Sequence, residues 1–210
     1  LQIVNGLGAT DTINGLGNLI VGYDEENTFL EEFCSDGEMD RDACLGSGGS
    51  WSNSHKTGSH YLVAGSANSY SQFGGIVAGT RNASTGPYAS VTGGEDNRAS
   101  GSSAAVSGGG SNVASGSSSS ISGGYDGLAS AVFSSTSGGA GNIASGVSAS
   151  VVGGWMNIAS GNNAVVSGGQ QNVASAQDAS VSGGAQNTAS GLWSSILGGT
   201  GRTVAGDGEY

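Results

Sequence analysis

Basic residues are scarce in this chain. Five Lys and Arg stand against sixteen Asp and Glu, for a formal net charge of −11, and the five do not cluster. Nucleic-acid binding relies on clustered cations facing phosphate, so that class is excluded, and attachment to an anionic membrane surface is disfavoured. Long apolar runs are also missing: no stretch approaches the roughly 20 residues that cross a bilayer. The chain opens at Leu1 with neither Met nor a signal-peptide pattern. It therefore reads as a processed or excerpted piece whose targeting signal lies elsewhere.

Cysteine occurs twice, at Cys34 and Cys44, in the most irregular part of the chain. The pair reads as a local disulfide, worth about 2–3 kcal/mol by loop closure. Two free thiols, or half of a metal site, are the alternatives, although nothing nearby completes a zinc site. Proline occurs once, at Pro87, whereas glycine supplies 42 of the 210 residues. Chains so rich in Gly and Ser are often disordered, because they offer little apolar surface to offset backbone entropy. Strict periodicity argues for order instead.

Glycine pairs begin at Gly93, Gly108, Gly123, Gly138, Gly153, Gly168, Gly183 and Gly198, a period of fifteen. Upstream, "GGIVAG" and "HYLVAG" extend the series to Gly79 and Gly65 at a spacing of fourteen, and "GNLIVG", ending at Gly22, reads as one further coil. Repeats of this length indicate a solenoid in which each unit stacks on its neighbours. Fifteen residues cannot hold two helices and a turn, and Gly, Ser, Val and Asn are poor helix formers. Two short strands and two turns fit. The expected fold is all-β: a parallel β-solenoid of about eleven coils, close to 50 Å long at the spacing of strands in a sheet. Residues 1–22 form N-terminal coil, 23–57 an acidic insertion, and 58–210 the repeats.

Within a coil, the first turn is GGxxN. Its Asn column (Asn97, Asn112, Gly127, Asn142, Asn157, Asn172, Asn187) accepts glycine once, which suggests a left-handed backbone there. The second turn centres on Gly101, Gly116, Gly146, Gly161 and Gly191, with Ala131 and Ala176 in the same column. Ala104, Ser119, Ser134, Ala149, Ala164, Ala179 and Ser194 stand two residues before Val106, Ile121, Thr136, Val151, Val166, Val181 and Ile196. That period-two spacing points both columns into the core. A third inward column is the unvarying alanine from Ala99 to Ala189. The row immediately before it, Val113, Leu128, Ile143, Ile158 and Val173, must then face outward, and an apolar outward row implies a partner.

The strands "LIVG", "LVAG", "IVAG" and "SVSGG", alternating with "NxASG" turns, resemble the YadA-like head repeats of trimeric autotransporter adhesins and related uncharacterised bacterial surface proteins. The likeness covers Asn14 to about Gly201, apart from the insertion. It implies a left-handed β-roll and a homotrimer at the bacterial cell surface, with host-surface protein, matrix or glycan as its ligands. Most coils here are one residue longer than is typical of those heads, and serine often stands where they carry an apolar residue before the glycine. No coiled-coil neck or membrane anchor follows in this sequence.

Residues 23–57 hold nine of the sixteen acids. "DGEMDRD" places Asp36, Glu38, Asp40 and Asp42 at alternate positions, a candidate calcium ligand set. It fails as an EF-hand, since Arg41 takes the glycine position and Ser47 the closing glutamate position. A solvated acidic loop is the plainer reading. His55 and His60 flank "KTGS" near these acids and form a second, weaker metal candidate. Trp51 lies in the insertion, whereas Trp155 and Trp193 fall at turn or outward columns, where they could meet a glycan or a neighbouring chain.

No set of unlike residues recurs at one point, so the functional expectation is a non-catalytic structural or adhesive protein without a cofactor. A self-assembling extracellular filament or a phage tail fibre is the alternative. Ice binding ranks behind both, because Phe133 and Trp193 break up the hydroxyl face it needs. A glycan-cleaving solenoid ranks last, because no acidic pair recurs on a strand.

Overall fold

The computed structural model describes residues 2–22, 24–26, 32–35 and 41–208. The chain forms two compact units, Leu1–Ser111 and Asn112–Tyr210. Each is a stack of parallel two-stranded coils, the β-solenoid expected from the period.

In the first unit, β1 (Leu19–Val21) pairs in parallel with β4 (Leu62–Ser66), β4 with β6 (Ile76–Thr80), β6 with β8 (Ser90–Val91), and β8 with β10 (Ala105–Val106). The second face is β5 (Ser69–Tyr70), β7 (Ala83–Ser84) and β9 (Arg98–Ala99), again parallel. The described residues of the insertion include an antiparallel pair, β2 (Phe33–Cys34) with β3 (Trp51–Ser52), and a short helix, α1 (Arg41–Gly46). Among residues 2–22, β1 is the single strand, so the earlier segment carries no regular coil.

In the second unit one face stacks β12 (Ser120–Ile121), β14 (Ser135–Thr136), β16 (Ser150–Val151), β18 (Val165–Val166), β20 (Ser180–Val181) and β22 (Ser195–Ile196). The other stacks β11 (Val113–Ala114), β13 (Leu128–Ala129), β15 (Ile143–Ala144), β17 (Ile158–Ala159), β19 (Val173–Ala174), β21 (Thr188–Ala189) and β23 (Thr203–Val204). Every pairing joins residues fifteen apart, as in Val151↔Val166↔Val181 and Ala159↔Ala174↔Ala189. The chain resumes the pattern at its last strand, where Arg202 N–H reaches Asn187 Oδ1 at 3.0 Å and Val204 pairs with Ala189.

The inward columns are as the period-two spacing implies. Val106, Ile121, Val151, Val166, Val181 and Ile196 are all buried, and so is every member of the column from Ala99 to Ala189. Their partners Ala104, Ser119, Ala149, Ala164 and Ala179 are buried as well. The core of the second unit is thus Ala against Val or Ile. The first unit is bulkier: Tyr61 and Tyr70 lie 5.5 Å apart, centroid to centroid, and pack with Val63 and Val77.

Two readings of the repeat need correcting. Backbone φ is not left-handed at the Asn column; the residue before it takes that conformation, at Asp96, Ser111, Asp126, Met156, Gln171 and Gln186. The asparagines are retained for their side chains. Asn157 Nδ2 donates to Gly153 O at 2.9 Å within its own coil and to Gly169 O at 3.0 Å in the next. Its Oδ1 accepts from the Asn172 N–H at 2.9 Å. Asn142, Asn172 and Asn187 repeat all three bonds. Asn68 and Asn82 belong to the same column and bond the same way, a role their fourteen-residue spacing obscured.

The upstream glycines also align differently. Gly79 stacks on Gly94, the second glycine of its pair, and not on Gly93: the Thr80 N–H donates to Gly94 O at 3.0 Å. A fifteen-residue coil therefore gains its added residue between the inward Val and the second glycine, where Thr92 and Gly93 stand against Ala78 alone. A side chain on Gly153 or Gly168 would meet nothing within 4 Å. The second glycine is the constrained one. Gly154 has φ +90°, and a Cβ there would lie 2.2 Å from Gly169 O.

Because the interior is narrow and dry, Val166→Asp should lower stability by about 4 kcal/mol through an unpaired buried charge. The exposed neighbour Ser167→Asp should leave thermal melting nearly unchanged. Equal melting of the two variants would contradict the inward assignment.

Candidate functional site

The insertion is closed on itself by a disulfide and a histidine contact, and is tied to the neighbouring coils through Lys56, Tyr70 and Arg98. Cys34 and Cys44 form a disulfide with Cα atoms 5.7 Å apart, joining β2 to α1. The buried His55 ring packs edge-on against Phe33, and its Nε2 lies 2.9 Å from Phe33 O. Lys56 Nζ donates to Asp24 Oδ1 at 2.7 Å, Glu25 O at 2.9 Å and Asn68 O at 2.8 Å, so all three of its protons are engaged. Tyr70 completes this clasp by donating from its hydroxyl to Asp24 Oδ2 at 3.0 Å. Burial and the adjacent carboxylate push the Tyr70 phenol well above its usual range. Arg98 lies over the Phe33 ring at 5.6 Å, and burial lowers its pKa.

These contacts engage His55 but not His60. His55 is a packing residue. His60 adopts φ +61° and borders a shallow groove of about 530 Å³ lined with Ile3, Leu19, Tyr61, Leu62 and Ile76. Of the candidate calcium ligands, Asp36, Glu38 and Asp40 lie outside the described residues, and Asp42 is exposed in the first turn of α1. Among the described residues no group of three or more His, Cys, Asp or Glu is placed to hold a metal ion.

The outward apolar row forms a continuous ladder: Val113↔Leu128↔Ile143↔Ile158↔Val173. Each member is half-buried, because stacked coils bring successive side chains of one column into mutual contact. The more exposed apolar groups lie at the turns. Tyr125 is 62% and Trp155 47% exposed beside the first turn; Phe133 is 63% and Trp193 61% exposed at the second. Phe133 and Trp193 take φ of +59° and +56°, so their side chains project from left-handed corners. On the same corner column, Asn163 Nδ2 donates to Asp178 Oδ1 at 3.0 Å. That bond, with further ones from Gln177 and Trp193, draws the Asp178 carboxyl below its usual range.

The surface so described is polar, regular and punctuated by exposed aromatics. No family model matches the chain, and no curated protein matches it.

His55 makes the clasp sensitive to pH. Burial lowers its pKa, against the opposing hydrogen bonds to the Phe33 and Ser52 backbone. With a folded pKa below the unfolded value of about 6.5, the unfolded state takes up the proton first as pH falls. Stability is therefore complete above that value and declines below it. Denaturant melts at pH 7.5 and 5.5 should show this loss, and His55→Gln should reduce it. An unchanged loss in His55→Gln would remove His55 from the explanation.

Proposed function

We infer that this chain is a non-catalytic structural and adhesive module, a β-roll segment of an extracellular bacterial surface fibre or adhesin head. The observation that carries the reading is repetition. From coil to coil the same small side chains face inward and the same short polar ones face outward, so the molecule offers one surface many times over. Extended repeat surfaces of this kind suit multivalent contact better than chemistry at a point. Two further observations support it. The disulfide fits an oxidising compartment. The resemblance to YadA-like heads, carried by the "LVAG", "IVAG", "SVSGG" and "NxASG" motifs, points the same way.

Assembly with further copies of itself is part of this reading. A side-by-side homotrimer would use the row through Ile143 and Ile158. An end-to-end filament is the second reading, favoured by β1, whose residues Leu19, Ile20 and Val21 are all exposed and whose single strand partner is β4. An uncovered strand edge templates a further strand.

Light scattering separates the two. The chain should behave as an oligomer; Ile143→Lys combined with Ile158→Lys should dissociate a trimer, and Ile20→Lys should stop end-to-end growth. A concentration-independent monomer would overturn the assembly reading.

A further inference from the structure

We propose that one edge of the second unit is a stacking platform for a neutral, linear, β-1,4-linked polysaccharide lying along the solenoid axis. The platform is the column directly after the paired glycines. It gives the adhesive reading a ligand class and rests on that reading.

The column is laddered in register: Tyr125↔Ala140↔Trp155↔Gln170↔Ala185. Each aromatic residue is held through both its backbone N–H and its carbonyl by the next coil. The Trp155 N–H donates to Gly169 O and the Trp155 carbonyl accepts from the Gln171 N–H, both at 2.9 Å. Tyr125 makes the equivalent bonds with Gly139 and Gly141, also at 2.9 Å. Both side chains are nevertheless exposed. A rigid base carrying open aromatic groups loses little entropy when a ligand stacks on it.

Spacing selects the ligand. Stacked coils advance about 4.8 Å each, so Tyr125 and Trp155, two coils apart, stand about 9.6 Å apart along the axis. An extended β-1,4-linked hexose chain presents the same ring face once every two sugars, over a comparable distance. An α-linked chain coils and does not keep that phase. Between the aromatics stands the small Ala140, and at the adjoining corner the exposed Met156 side chain reaches Gly141 and adds an apolar surface beside the rings. Beyond Trp155 come Gln170 and Gln171, whose amides can both donate to and accept from sugar hydroxyls.

Charge narrows the class further. Asp126 is the one charged residue in this column or its neighbouring corner column within residues 112–201. A chain of net charge −11 repels anionic polymers, which leaves a neutral glycan.

The test is co-sedimentation of the full chain with microcrystalline cellulose and with powdered chitin, using insoluble starch as the α-linked control. Retention on cellulose or chitin but not on starch is expected. Trp155→Ala and Tyr125→Ala should each weaken it about fivefold, as for one lost stacked ring, with melting unchanged. The proposal is overturned by failure to bind either β-linked polymer, by equal binding to starch, or by unaltered binding of both variants. It is also overturned if Trp155→Ala reduces the particle mass, which would make this edge a contact between copies. Loss of the platform alone leaves the oligomer intact and the adhesive reading standing. Soluble sugar released from the polymer would instead refute the non-catalytic reading.

Discussion

The asparagine ladder is the interaction on which the rest of the coil depends. Each buried asparagine closes its own turn through one Nδ2 bond, reaches the next coil through the other, and receives that coil's backbone N–H on Oδ1. Three hydrogen bonds from one dry side chain fix both the turn and the register between coils. Neutral hydrogen bonds contribute about 1 kcal/mol each when made, but leaving such groups buried and unpaired costs more. The ladder therefore acts chiefly against misregister, since a slip of one residue would orphan several polar groups at once. A core of Ala and Val resists a one-residue slip by facing alone but fits almost as well two residues away, where the asparagine bonds do not form.

The same constraint explains the unusual corners. Along most of a coil the backbone N–H groups point to the next coil, as Trp155 donates to Gly169 and Ile158 to Asn172. At the corners the direction reverses: Met156 donates back to Ala140, and Trp193 back to Gln177. Reversal needs a left-handed residue, at a cost of about 1 kcal/mol for a side chain other than glycine. The bonds on both sides over-determine the conformation, so Met, Trp, Phe and Gln all occur there. Close approach imposes a different demand at the second turn. A Cβ on Gly161 would lie 1.9 Å from Ala176 O.

Much of this fold was legible in the sequence because a strand repeats its facing every two residues. Val166 and Ala164 declared their side. What stayed hidden was the reason for a residue rather than its position. Asn and Gly share a column at Gly127, which suggested backbone strain, whereas the column is defined by a side chain that Gly127 lacks. The left-handed corners were hidden because their residues vary so widely. Gly79 was set against the wrong glycine because a bulge of one residue leaves the composition of the turn unchanged. Tyr61 and Tyr70 lie outside the fifteen-residue pattern, so nothing periodic marked them as core. The candidate site was half legible: outward aromatics could be placed by column, but the half-burial of Ile143 and Ile158 depends on neighbours leaning together.

A register held by buried amides frees the outer columns from any structural duty. That division lets one scaffold carry Tyr125, Ala140, Trp155 and Gln170 at the same outward position. The most direct test of the account compares two isosteric changes in one coil by thermal and denaturant unfolding. Asn157→Asp removes both Nδ2 donors and sets a carboxylate against the Gly153 and Gly169 carbonyls; a loss of about 3 kcal/mol is predicted. Asn162→Asp, on the exposed turn, keeps the acceptor used by the Val147 N–H and should stay within about 0.5 kcal/mol of the parent. Equal, small effects at the two positions would contradict the claim that the asparagine ladder holds the coils in register.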